Sequence, residues 1–222
     1  GFEPDRFLPR APDDPAVAAM RRAWGAAPGD RVFGVVGTFM LPRGKGQREF
    51  LAAAARIRPT APRARFVILG SGNMGPVLED DIRRLGLSEA ARLPGQCADM
   101  PTAMNALDCV VHPQIGTEAL AFVVIEALAC GRPVIASALD GIPEAFAMGG
   151  LGTLVPPEDV EALASAMGAM ASAPPPSESE RRAVHDRVAA RMSLSRHVEE
   201  MMALYRELVK PVPPGGKSFV SP

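Results

Sequence analysis

Short apolar runs rich in β-branched residues alternate with helical segments along most of the chain. The run RVFGVVG at 31–37 precedes a helical stretch at 47–57, and ARFVILG at 64–70 precedes another at about 76–86. The remaining predicted strands lie at about 90–93, 108–113, 133–137 and 152–155. Strands that alternate with helices at this spacing indicate parallel crossover units, and strands that are apolar on both faces fit a sheet covered on both sides. The pattern therefore predicts an α/β fold built on a doubly wound parallel sheet.

The segments around this core set the predicted domain limits. Residues 1–12 are polar and rich in proline, which indicates an interdomain linker, and the first helix is predicted to begin at Asp13-Asp14-Pro15. We expect one Rossmann-like domain over 13–210, which ends in helices, the last of them capped by Ser193 or Ser195. Residues 211–222 are predicted to form a disordered tail.

Composition narrows the possible functions. Of the 222 residues 47% are hydrophobic and 22% are charged, and the net charge is −1. This balance gives no overall field that would hold nucleic acid or an anionic membrane, so phosphate affinity has to come from a local site. No apolar run reaches the length of about 18 residues that a membrane span needs. Cys97, Cys109 and Cys130 lack the spacing of metal ligands, and we expect them to be small buried residues of a cytoplasmic protein.

A glycine-rich turn, GSGNMG, follows the second strand at 70–75. Gly70, Gly72 and Gly75 match the dinucleotide-binding fingerprint, which also needs an acidic residue at the end of the next strand. That strand ends in Pro94-Gly95. An NAD-dependent oxidoreductase therefore stays an alternative hypothesis, and the other interpretation is a tight turn that lets the strand meet the helix.

An otherwise apolar stretch has one glutamate directly before it and another inside it. Within 119–130 Glu126 is the one polar side chain, and its desolvation is costly unless another group pairs with it. That group is either an arginine elsewhere in the fold or the vicinal hydroxyls of a ribose in the ligand crevice. Glu118 lies in the loop before the helix, whose N-terminal amides near Ala121 and Phe122 are predicted to face an anion.

The loop after the first strand, GTFMLPRGKG at 37–46, holds Arg43 and Lys45. A lysine between two glycines can reach a phosphate in the crevice, although a solvated loop lysine is the other interpretation. The loop does not have the Walker pattern, because neither Ser nor Thr follows the lysine.

Glu118 and Glu126, followed by ALACGRPVIAS and DGIPEAF, resemble the Glu-x7-Glu region of retaining GT-B glycosyltransferases of family 4, the group 1 transferases. The resemblance extends from GFEPDRFLP, which is similar to the family's interdomain linker, to the last helix. It implies the C-terminal half of a two-domain enzyme that uses a UDP-, GDP- or ADP-sugar as donor and needs no metal or other cofactor. The acceptor is expected on an N-terminal domain of the same polypeptide, so the isolated domain should bind donor without transferring the sugar.

The resemblance also implies roles for individual residues. Glu118 is expected to contact the donor sugar and Lys45 the diphosphate, and these two are the predicted catalytic residues. Glu126 is expected to hold the ribose hydroxyls. The other predicted donor contacts lie in the loops at the strand ends and are Gly37, Arg43, Gly70, Ser71, Gly72, His112, Ala121 and Phe122. For His112 a purely structural role is the alternative.

The chain departs from the family pattern at several places, among them Thr38, the longer spacing from Gly37 to Lys45, and Ala119-Leu120-Ala121. Thr38 stands where the family commonly has an arginine, and Arg43 is the candidate replacement. Ala119-Leu120-Ala121 stands where the family favours Gly-Phe-Gly, which adds methyl groups where a phosphate would approach. These departures support a further alternative, a nucleotide-sugar-binding module without turnover.

Overall fold

One parallel sheet forms the centre of the molecule in the computed structural model, which describes residues 3–11 and 13–209. The six strands are β1 (Arg31–Val36), β2 (Ala64–Leu69), β3 (Ala91–Gly95), β4 (Cys109–His112), β5 (Val134–Ser137) and β6 (Gly152–Val155). Their order in the sheet is β3-β2-β1-β4-β5-β6, and every neighbouring pair is parallel. The predicted doubly wound α/β fold is therefore confirmed. The predicted tail, 211–222, lies outside the described residues.

Helices cover both faces of the sheet. They are α1 (Pro15–Ala23), α2 (Gln47–Ile57), α3 (Gly75–Arg84), α4 (Met100–Ala106), α5 (Phe122–Ala129), α6 (Ile142–Ala147), α7 (Val160–Ser172), α8 (Glu178–Met192) and α9 (Leu194–Leu208). Two separate apolar cores result, one under α1, α4, α5, α6 and α8, the other under α2, α3 and α7. The alternation of strand and helix sends successive crossovers to either face, which is why neither core dominates.

Burial along each strand follows its position in the sheet. Every residue of β4 and β5 is buried, whereas the edge strand β3 alternates between buried and exposed positions. Pro94 is tolerated in β3 because this strand pairs with β2 alone and its outer side needs no amide donor. The weak apolar pattern of β3 in the sequence thus reflects an edge strand.

The N-terminal segment 3–11 lies against the domain. Phe7 is buried in the first core. Asn105, on α4, donates its side-chain amide to the carbonyl of Leu8 at 2.9 Å and accepts the amide of Arg10 at 2.8 Å. These contacts attach the segment to α4, and its role as an interdomain linker stays a prediction.

The last helix is the least buried one. Helix α9 has no buried residue and packs against α8, and Ser193 caps it by accepting a hydrogen bond from the amide of Arg196 at 3.4 Å. Within the described part of the chain, no helix combines the length and apolar character that crossing a bilayer requires.

Candidate functional site

The strand order reverses between β1 and β4, which are neighbours in the sheet although β2 and β3 come between them in sequence. The loops that leave these two strands, 37–46 and 113–121, therefore begin side by side at the carboxyl edge. In open α/β sheets a ligand crevice forms at this reversal. We call the space between the two loops the donor crevice.

Gln47 holds the first loop in place. Its side chain is fully buried, accepts the amide of Lys45 at 2.7 Å and donates to the carbonyl of Thr38 at 3.2 Å. Gly46 lies so close to the second loop that a Cβ there would stand 1.8 Å from the carbonyl oxygen of Pro113. The two loops are thus fixed against each other, a role for Gln47 that no feature of the sequence indicated.

Lys45 and Glu118 meet across the donor crevice. The Lys45 Nζ lies 3.3 Å from Glu118 Oε2, and the two side chains are 38% and 18% exposed. The backbone of Glu118 is held by the loop after β5: its amide donates to Asp140 Oδ2 at 3.1 Å, and its carbonyl accepts the amide of Gly141 at 3.1 Å. The structure therefore brings both predicted catalytic residues together, with the ammonium within reach of an entering anion.

His112 ends β4 beneath this pair. It is 2% exposed, and its Nε2 atom has no hydrogen-bond partner among the described residues; neither has Oε1 of the buried Gln114. Burial lowers the pKa of His112 to about 4, with Glu118 raising it and Lys45 lowering it further. The imidazole is therefore neutral at pH 7. Buried polar atoms normally have a hydrogen-bond partner, so these two, which have none among the described residues, mark a place where a ligand or a water molecule could bind.

Helix α5 begins beside Glu118 without a side-chain cap. Ala121 is its N-cap residue and is buried, whereas Phe122 is exposed. The amide of Phe122 donates to the carbonyl of Leu120 at 2.9 Å, so it is already satisfied. An uncapped helix N-terminus favours an anion. The amide of Phe122 is already engaged, however, so its contact with an anion stays a prediction.

Glu126 lies one turn further along α5, on the same face as Phe122. The side chain is partly buried, and no arginine or lysine of 3–11 or 13–209 forms an ion pair with it. Burial raises the pKa of Glu126 to about 6, and the positive charge of Arg6 opposes that rise. No described arginine thus forms a direct ion pair with Glu126, although the charge of Arg6 acts on it, and the ribose role of this carboxylate stays a prediction.

Arg43 forms an ion pair outside the donor crevice. Its guanidinium pairs with Glu158, in the loop after β6, at 2.5 Å, and this hydrogen bond raises the pKa of Arg43. Both side chains are about half exposed. The predicted replacement of the family arginine is therefore engaged by Glu158, and Thr38 contributes its backbone carbonyl to Gln47.

The glycine-rich turn after β2 packs against the loop after β1. A Cβ at Gly70 would lie 2.1 Å from the carbonyl oxygen of Gly37, and one at Gly72 would lie 2.0 Å from that of Phe39. The amide of Phe39 donates to the carbonyl of Ser71 at 3.2 Å. The glycines thus allow close contact between two loops, and the predicted donor contacts of Gly70, Ser71 and Gly72 stay predictions.

An apolar cavity of about 510 Å³ lies next to this turn, between α1 and the loop after β3. Trp24, Leu69, Gln96 and Cys97 line it. A cavity of this size and polarity suits a flat heterocycle with a few polar contacts.

The fold and site define a class of protein, the open α/β domain with a ligand crevice at the reversal point of a doubly wound sheet. The model of the family "Glycosyl transferases group 1" matches residues 30–173. The chain therefore belongs to the group 1 glycosyltransferases, which confirms the resemblance found in the sequence.

Curated relatives are longer than this chain. It is 32% identical over 184 residues to a GDP-mannose-dependent alpha-(1-6)-phosphatidylinositol monomannoside mannosyltransferase of Mycolicibacterium smegmatis, covering 78% of this chain and 46% of that protein. It is 32% identical over 220 residues to a D-inositol 3-phosphate glycosyltransferase of Corynebacterium urealyticum, covering 94% of this chain and 50% of that protein. The chain thus spans about half the length of these relatives.

Solved structures share the GT-B fold. Anabaena HepE in complex with UDP superimposes with a TM-score of 0.77 at 23% identity, over 93% of this chain and 56% of that one. The C-terminal domain of a group 1 glycosyl transferase, LpcC of Francisella tularensis, gives a TM-score of 0.69 at 22% identity, over 87% of this chain and 100% of that one. The latter match spans the whole of a C-terminal domain.

Proposed function

We propose that this chain is the donor-binding half of a retaining glycosyltransferase and binds a nucleoside-diphosphate hexose in the donor crevice. The observation that carries the proposal is the meeting of Lys45 and Glu118, 3.3 Å apart, above the unpartnered Nε2 of His112. A cation, a carboxylate and a neutral imidazole are the groups that a charged diphosphate joined to a polyhydroxylated sugar needs.

Each group has a distinct task in this proposal. The diphosphate competes with Glu118 for the Lys45 ammonium, and the freed carboxylate then accepts hydrogen bonds from sugar hydroxyls. His112 is neutral because burial lowers its pKa to about 4, so it can hydrogen-bond a hydroxyl without adding charge. Glu126 accepts the ribose hydroxyls, and the base enters the apolar cavity beside Trp24.

The transfer reaction also needs an acceptor, which in this proposal is bound by an N-terminal domain of the same polypeptide. In a retaining front-face transfer, the bond between the anomeric carbon and the diphosphate oxygen breaks while the acceptor oxygen bonds on the same face. The acceptor proton passes to the leaving phosphate. Lys45 and the uncapped end of α5 stabilise the charge that grows on the diphosphate. The GDP-mannose dependence of the mycobacterial relative makes GDP-mannose the first donor to test.

The binding test is calorimetric titration of the chain with UDP, GDP, ADP and GDP-mannose. We expect saturable binding of one nucleotide class, weakened at least tenfold in Lys45→Met and in Glu126→Ala. Glu79→Gln, an exposed glutamate on α3, is the matched control and should bind like the parent. Equal affinity in Glu126→Ala would remove the ribose role, and equal affinity in Lys45→Met would remove the diphosphate role.

Two further measurements separate the alternatives. An increase of NADH fluorescence on mixing would favour the oxidoreductase hypothesis, whereas none is expected here. A polypeptide that includes the acceptor-binding half should transfer the sugar with the anomeric configuration unchanged, as read by NMR of the product. Donor binding without transfer in that longer polypeptide would favour a non-catalytic binding module, and an inverted product would refute retention.

A further inference from the structure

A second large cavity, of about 650 Å³, opens at the opposite edge of the sheet. Arg31 at the start of β1, Asp108 immediately before β4 and Arg132 shortly before β5 contribute to its lining. Parallel strands place all amino ends at one edge, and strands of four to six residues separate the two edges by roughly 15 Å. We call this space the amino-edge cavity, which is distinct from the donor crevice.

The carboxylates of the amino-edge cavity already have arginine partners. Asp108 pairs with Arg21 at 2.9 Å, and Asp30 pairs with Arg65 at 3.1 Å and with Arg63 at 3.5 Å. Four further arginines of the lining form no ion pair with a described residue. Arg22 and Arg31 keep contact with solvent, whereas Arg132 and Arg181 are buried. The cavity wall therefore carries two buried positive charges without a direct ion pair in the described part of the chain. Asp108 acts on Arg132, and Glu178 on Arg181, only at longer range.

These two arginines are also deeply buried. Arg132 is 8% exposed and Arg181 is 5% exposed, and the Nε atom of each is enclosed without a hydrogen-bond partner. Burial, followed by the charge of Arg181, lowers the pKa of Arg132 to about 10, so it stays protonated at neutral pH. A buried guanidinium without a counter-ion is unfavourable, which indicates that an anion completes the arrangement.

The guanidinium N–H groups of Arg132 and Arg181 that have no partner among the described residues are the donors available to such an anion. Arg132 makes one hydrogen bond to a described residue, from Nη2 to Asn105 Oδ1 at 3.5 Å. Arg181 uses Nη2 for the carbonyls of Arg10 and Cys130 and for the same Asn105 oxygen. The Nη1 atoms of both have no partner in the described part of the chain and are not among its enclosed unpartnered atoms. They therefore open onto the space that the two side chains line.

We propose that the amino-edge cavity binds the phosphate group of a small phosphorylated molecule through Arg132 and Arg181. A phosphate monoester carries close to two negative charges at neutral pH, and Arg132 and Arg181 are the two buried guanidinium groups of the lining that form no ion pair with a described residue. The cavity exceeds the size of a bare phosphate, and Val17, Ala26 and Pro175 give part of its lining an apolar character that suits an organic group. This site does not depend on donor binding at the other edge.

The test is a titration of the chain with inorganic phosphate and with glucose 6-phosphate, at ionic strength held constant with KCl. The readouts are the Nε–Hε NMR signals of the arginines and the melting temperature. We expect saturable shifts of the Arg132 and Arg181 signals and a melting temperature that rises with ligand and not with chloride. Tighter binding of glucose 6-phosphate identifies an organic phosphate as the ligand, and equal binding identifies free phosphate.

Three variants make the assignment specific. Arg132→Met keeps the side-chain volume and removes the charge, and it should weaken binding at least tenfold. Arg182→Gln, the neighbouring exposed arginine on α8, which pairs with Glu178, is the matched control and should leave binding unchanged. Lys45→Met disables the donor crevice and should also leave it unchanged.

Several outcomes would overturn the proposal. They are the absence of saturation, an equal response in Arg132→Met, and a loss of the response in Lys45→Met, which would place the phosphate in the donor crevice. If Arg132→Met does not fold, the parent NMR titration decides, because unshifted Arg132 and Arg181 signals contradict the site directly.

Discussion

Replacing Glu126 by glutamine should make the unliganded chain more stable at neutral pH. Burial raises the pKa of this carboxyl from 4.5 to about 6. One pKa unit corresponds to about 1.4 kcal/mol, so ionising Glu126 costs the folded state about 2 kcal/mol at most. Since the side chain is partly exposed and water screens its charge, about 1 kcal/mol is the better expectation. Glu126→Gln removes this cost and keeps the shape of the side chain.

The stability difference between the parent and Glu126→Gln should grow with pH. Because the folded pKa lies above the unfolded one, the stability contribution of Glu126 is full below pH 4.5 and is lost as the pH rises through about 6. Parent and Glu126→Gln should therefore have equal free energies of unfolding near pH 4. Above pH 6.5 the variant should be more stable by about 1 kcal/mol.

The measurement is urea unfolding of both proteins at four pH values between 4 and 7.5. Glu79→Gln is the control, because this glutamate is exposed on α3, and its difference from the parent should stay near zero throughout. A variant less stable than the parent at pH 7.5, or a difference that does not change with pH, would refute the reasoning. Higher stability together with weaker nucleotide binding is the expected signature of a residue kept for function.

Two other variants test how the loops and the N-terminal segment are held. Gly46→Ala should destabilise the fold by more than about 3 kcal/mol. The backbone of Gly46 is in the left-handed region, which costs alanine about 1–2 kcal/mol, and the added Cβ would also clash with Pro113. Gly86→Ala, also at positive φ but with no atom within 4 Å, should show the strain alone in urea unfolding, and equal losses would contradict the clash. Asn105→Ala should cost about 2–4 kcal/mol by leaving buried groups unpaired and should speed proteolysis of segment 3–11; unchanged cleavage would contradict that anchoring role.

Local sequence patterns were sufficient for the elements of the sheet. The apolar runs of β1, β2, β4 and β5 could be recognised because these strands are largely buried on both faces, so polar residues are few and lie mostly at the strand ends. Strand β3 gave a weaker signal because it lies at the edge and is half exposed. The glutamate pair could be noticed for a similar reason, since a carboxylate stands out in an apolar stretch.

Contacts between residues far apart in the sequence could not be predicted from these local patterns. The sequence suggested that Arg43 supports Lys45, but a loop 115 positions away supplies Glu158 as its partner. The close contact of Gly70 and Gly72 with backbone atoms of the loop after β1 was also not visible in the sequence, and their contact with a donor stays a prediction. Gln47 went unnoticed, because a buried glutamine that organises a loop has no local signature.

The sequence by itself determined the alternation of strand and helix, the parallel sheet and the family, because hydrophobic periodicity and short motifs are local properties of a chain. Only the tertiary structure decided which charges meet. Lys45 and Glu118 are 73 residues apart, and they touch because β1 and β4 are neighbours in the sheet. Arg132, shortly before β5, and Arg181, on α8, likewise come together without a direct ion pair to a described carboxylate. Such pairings depend on strand order and helix packing. Both are determined by the burial of the two apolar cores, to which residues from the whole chain contribute.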